Sequence, residues 1–172
     1  MTKRVPTTDE LLLVIEAASD LFARSVECDL RGIAPTDTVE PRAELEAESL
    51  VLAIHLMRRW VGSRLGPAGR ESVMTDIQDA VAKRVSADAN ERVRSQFDRT
   101  RRNYGRFSNS VEEEGGISKD TLCWEVGKHV VAEFAPENPL RVSTFSLSAV
   151  RALAFVYKSC DEIGGIEGPG AA

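Results

Sequence analysis

The sequence predicts an all-α protein, a single irregular bundle of five or six helices with a largely buried second helix. Three observations carry that expectation. Apolar residues recur at three- and four-residue spacing in one segment after another, and caps, prolines and glycines punctuate those segments at helical lengths. Convincing β-branched alternation is absent outside short pieces such as Leu140 to Phe145, so any sheet should be minor.

The first helix is expected over 8 to 28. Thr7 and Glu10 stand at capping-box spacing, and Leu11, Leu12, Val14, Ile15, Ala18 and Phe22 then follow a helical period. The apolar run Leu11 to Ile15 would also suit a buried strand, but Glu16, Ala17 and Ala18 continue the helix without a turn signal. Residues 29 to 40, with Gly32 and Pro35, read as a connection. Pro41 suits a first helical position, where its missing N–H is not needed, and opens a second helix over about 42 to 65.

Gly66 and Pro67 stop that helix, and Pro67 opens a third, marked by Val73, Met74, Ile77, Val81 and Val85. So short a junction favours antiparallel neighbours. A fourth helix is expected over 88 to 107, with a thin apolar stripe of Val93, Phe97, Tyr104 and Phe107. Residues 108 to 118 read as a loop, and Ser118 can cap a fifth helix running to about 135. Pro136 and Pro139 end it, and a sixth begins after Ser143 or Ser146 and runs to about 163. The expected organisation is one helical domain over 1–163 and a flexible, glycine-rich tail over 164–172.

The 172 residues suffice for a core without covalent staples, and 42% hydrophobic with 28% charged residues is ordinary globular composition. A formal charge of -5 gives no whole-molecule attraction to nucleic acid or an anionic membrane. Cys28, Cys123 and Cys160 are widely spaced and odd in number, neither a disulfide framework nor a zinc spacing, which favours a reducing cytoplasm. The run Leu11 to Ile15 is too short for a signal core or a membrane span, so no membrane association is expected.

Three function classes follow. The leading one is association with protein, through a homodimer or a protein partner, mainly because the other two classes lack specific motifs; the thin stripe of the fourth helix would let a second protomer cover part of its surface. The second rests on the predicted second helix, whose apolar side chains cover most of its circumference except for a polar arc containing Glu44, Glu48, His55, Arg58 and Arg59. There His55 could transfer a proton, Glu48 could orient it or hold a metal, and Arg59 could fix an anionic group, with Glu44 as a further ligand-binding candidate. The blander and preferred reading of this arc is a hydrogen-bonded structural seam.

No Glu-x-x-His or zincin motif occurs, and neither a metal nor a cofactor is expected. Cys123 and His129 lie on different faces of one predicted helix, and Cys160 could meet His129 only across helices. Both thiols read as small core hydrophobes, and Trp60 and Trp124 as packing anchors. The third class is nucleic-acid binding by the fourth helix, where Arg99, Arg102 and Arg106 share a face with Arg92. No helix-turn-helix, zinc-finger or RNA-binding motif supports it.

Overall fold

In a computed structural model, residues 4–31, 41–84, 112–113, 116–117 and 121–165 are described. Four α-helices lie among them: α1 (Thr8–Arg31), α2 (Pro41–Arg84), α3 (Leu122–Phe134) and α4 (Val142–Gly164). The architecture is an all-α bundle, but the expected count of five or six helices is corrected to four among the described residues.

One cause of the difference is Gly66. The segments expected as separate second and third helices form a single helical element broken at that residue, which takes φ 71 and ψ -177. Glycine tolerates this positive φ, and Pro67 then occupies a first-turn position that needs no N–H, so the two arms abut without a loop. The predicted fourth helix, 88 to 107, falls outside the described residues.

α1 begins with the capping box expected from Thr7 and Glu10. The Thr7 N–H donates to Glu10 Oε2 at 2.8 Å, and the Glu10 N–H reaches back to Thr7 Oγ1 at 3.4 Å. Arg4 forks onto both Glu10 oxygens, and its backbone N–H donates to the Gly164 carbonyl at 3.1 Å. The start of α1 is therefore tied to the end of α4. Further along, Ser25 and Ser148 share a hydrogen bond of 2.8 Å, so the two helices run antiparallel.

The cap of α3 is Thr121, whose hydroxyl accepts from the Trp124 N–H, and not the expected Ser118. α4 begins at Val142 without a side-chain cap, preceded by a 3-10 turn at Pro139–Arg141, so neither Ser143 nor Ser146 serves as its cap. Ser146 instead bonds back to the Val142 carbonyl at 2.7 Å. Gly165, at φ 63, closes α4 in the left-handed conformation. Within the segment read as a loop, β1 (Glu112–Glu113) pairs antiparallel with β2 (Gly116–Ile117), Glu112 opposite Ile117.

α1 packs on α2 and α4, α3 packs on α4, and α2 meets α4. The first arm of α2 is enclosed: every residue from Val51 to Met57 is buried, and Trp60 and Val61 continue the core one turn later. A segment buried on all faces satisfies its backbone within the helix and contributes apolar area in every direction. Gly127 of α3 faces α4 at such close range that an added Cβ would collide with Ser146 Oγ and the Val142 carbonyl oxygen. Among the described residues, the 3-10 turn with α4, Pro139–Gly164, is long and apolar enough to cross a membrane by length and composition. Its buried face, which includes Phe145, Ala149, Ala152 and Val156, belongs to the bundle core.

Candidate functional site

The polar arc of α2 is divided by the fold into separate contacts. His55 and Arg59 stand one turn apart, and Arg59 Nε donates to His55 Nε2 at 3.0 Å. Accepting there places the imidazole proton on Nδ1. Only 4% of His55 is exposed. Burial, reinforced by the charges of Arg59 and Arg58, holds its pKa down at about 3. Near neutrality the imidazole is therefore uncharged, and it accepts the Arg59 N–H as a neutral ring.

Burial also lowers the pKa of Arg59, opposed by the electrostatic influence of Tyr157 on α4 and Cys123 on α3. The Cys123 thiol is pushed up to about 11 by burial, with Arg59 pulling the other way. At neutral pH it is an un-ionised thiol, a poor nucleophile and a poor metal ligand. The result is a seam in which α2 supplies His55 and Arg59, α3 supplies Cys123 and α4 supplies Tyr157.

Glu48 lies farther toward the start of α2, where His129 Nε2 of α3 approaches its Oε2 at 3.2 Å. Glu44 is exposed. Of the four candidate residues, then, His55 and Arg59 bond each other, Glu48 is engaged by His129, and Glu44 lies at the surface. Arg99, Arg102 and Arg106 lie outside the described residues.

A second polar centre went unread in the sequence. Asp161 of α4, buried, accepts from Trp60 Nε1 at 2.8 Å with Oδ1. Arg64 forks onto the same carboxylate, Nε to Oδ1 at 3.2 Å and a terminal nitrogen to Oδ2 at 2.7 Å. The indole and the guanidinium satisfy a carboxylate that would otherwise be costly to bury. Next to it, the Cys160 thiol turns to Met57 Sδ at 3.8 Å, while His129 takes Glu48. The Cys160 pKa is raised to about 12 by burial and by the Asp161 charge. No local pattern announces this centre, because its carboxylate lies 97 and 101 residues along the chain from its two donors.

An open groove of about 700 Å³ lies elsewhere, between α1 and the first turns of α2, with Glu16, Asp20, Arg24, Cys28, Leu45 and Leu50 among its lining. None of Glu44, Glu48, His55 and Arg59 lines it. Its walls already carry internal ion pairs, Arg24 with Asp20 at 2.8 Å and Arg31 with Glu27 at 3.7 Å. Among the described residues no three His, Cys, Asp or Glu side chains converge on one point as a metal site would need.

Set beside known proteins, the chain matches no family model, no curated protein and no solved structure. The fold defines an all-α bundle in which, among the described residues, His55 is bonded to Arg59, Glu48 to His129, and Asp161 to Trp60 and Arg64.

Proposed function

We propose that this chain works by associating with protein, and that its first partner is a second copy of itself. The observation that supports the reading is an aliphatic stripe on the solvent side of α1. Leu13 is 63% exposed and Leu21 37%, with exposed Ala17 between them on successive turns. Leucines spaced this way along one outer face are a helix-docking pattern, whereas singly scattered ones carry no meaning. The stripe is aliphatic throughout and lacks the aromatic anchors common at interfaces.

The seam around His55 fits a structural role better than a ligand site. Its imidazole is too weak a base, its thiol too weak an acid, and its residues stand apart from the groove. The three free cysteines fit a reducing cytoplasm as the place where this association occurs.

Light scattering on a size-exclusion column tests the reading. A mass of twice 18.8 kDa, falling toward 18.8 kDa on dilution, is the expected result. A mass fixed at 18.8 kDa up to about millimolar concentration, where even weak complexes form, overturns it.

A further inference from the structure

We infer that Gly66 is a hinge at which two copies of this chain exchange halves, the residues before it in one copy packing against the residues after it in the other. This rests on the α2 junction and not on the α1 stripe, so each mode of self-association stands or falls without the other.

The two arms of α2 fold back on each other with no loop between them. Arg58, two turns before Gly66, pairs with Glu71 at 2.9 Å. In a continuous helix their 13-residue separation would set them about 20 Å apart along the axis. Gly62 lies so near the second arm that an added Cβ would stand 3.1 Å from Arg70 Cδ. The reversal is concentrated in one residue, Gly66, at φ 71 and ψ -177.

That conformation has a mirror image of equal intrinsic energy, because glycine carries no Cβ. The mirror image, at φ about -71 and ψ about 177, is polyproline II, the region that a residue before proline favours. Since ψ is extended in both, passing between them is a rotation of about 140° around the N–Cα bond of Gly66. The rotation carries the second arm off the first, and a Cβ position at Gly66 has nothing within 4 Å to obstruct it.

Opening parts two complementary halves. The bonds Ser25–Ser148, Glu48–His129 and Trp60–Asp161 each join a residue before Gly66 to one after it. A lone open chain bares the core between them, whereas a second open copy supplies the same two halves and every one of these bonds reforms between chains. Closed monomer and exchanged dimer then differ only in the hinge torsion and in the entropy of joining two chains. With a glycine hinge the torsion is neutral, and concentration decides.

Co-refolding tests the exchange. Ser25 Oγ and Ser148 Oγ stand 2.8 Å apart, so one chain carrying both Ser25→Cys and Ser148→Cys should close an intrachain disulfide. Chains with Ser25→Cys alone and chains with Ser148→Cys alone, all with the exposed Cys28→Ser, are mixed unfolded and reduced, refolded together at about millimolar concentration, and only then oxidised. The expected product is a disulfide between copies, at twice 18.8 kDa, and the same chains mixed after folding separately should give none. Closure within the doubly substituted chain, with no cross-link after co-refolding, overturns the exchange. Gly66→Ala strains the closed hinge and suits the mirror one, and should raise the association constant of the exchanged dimer at least about fivefold. Four glycine and serine residues inserted between Gly66 and Pro67 should lower it. A Gly66→Ala chain that keeps its helix by circular dichroism and is no more dimeric after refolding overturns the hinge. Leu13→Glu with Leu21→Glu removes the α1 stripe and should leave the cross-link in place. A dimer that assembles on native mixing, with no cross-link after co-refolding, overturns the exchange and leaves the stripe standing.

Discussion

His55 shows how a single residue's chemistry follows from its surroundings. Its folded pKa of about 3 lies below the value of about 6.5 for an exposed imidazole. Between those values the unfolded chain binds a proton that the folded chain refuses. Stability conferred by the neutral imidazole is therefore complete above about pH 6.5 and is lost as pH falls toward about 3, with a slope approaching about 1.4 kcal/mol per pH unit. Glu10, held at about 2 by Arg4 and by the Thr7 N–H, acts with the same sign at lower pH, its contribution fading as pH falls from about 4.5 toward 2. Urea unfolding should show a midpoint that drops between about pH 7 and pH 5. His55→Gln, which keeps an acceptor for Arg59 but cannot titrate, should flatten that drop. At Asp161, substitution by alanine strands a buried indole N–H and a guanidinium, and should lower unfolding free energy by about 2 to 4 kcal/mol, whereas Asp161→Asn should cost less. The His55–Arg59 pair was legible from spacing, because one helical turn joins them. The Trp60–Asp161 bond was not, since 101 residues separate its ends.

The elements show two glycines needed for different reasons. A Cβ added at Gly66 would meet nothing within 4 Å, so it is the backbone, at φ 71 and ψ -177 in a region essentially confined to glycine, that resists substitution, and Gly66→Ala should cost about 1 to 3 kcal/mol. Gly127 has ordinary helical backbone but faces Ser146 and the Val142 carbonyl. There Gly127→Ala should destabilise by about 2 kcal/mol net, as collision outweighs the better helix propensity of alanine. Thermal unfolding of the two variants, with far-ultraviolet dichroism as the probe, checks that each lowers the midpoint. Helix positions were legible where caps and periodicity are local, as at Thr7 and Glu10. Thr121 displaced Ser118 as a cap because the start of α3 is set by where Leu122, Cys123 and Val126 meet the core, which cap chemistry alone does not specify.

Across the bundle as a whole, burial sorts the three thiols. Cys28 is exposed, while Cys123 and Cys160 are buried with pKa values of about 11 and 12. One thiol should react rapidly with Ellman's reagent in the folded chain and all three in denaturant. Three fast thiols in the native state would contradict the packing of α3 and α4 described above. The same sorting encloses two thiols in the core and leaves Leu13 and Leu21 of α1 and Leu147 of α4 exposed on the outside.

Local pattern was enough to specify the helical class, the capping of α1, the break at Gly66 and the burial of the middle of the first arm of α2, Val51 to Met57. Each depends on residues within a few turns of one another, and helical periodicity reports them directly. Which polar groups meet was settled by packing alone. Glu48 went to His129, Cys160 to Met57, and Asp161 to Trp60 and Arg64. Partner choice across helices depends on their relative rotation and register, which are set by all the core side chains together and are encoded in no single segment.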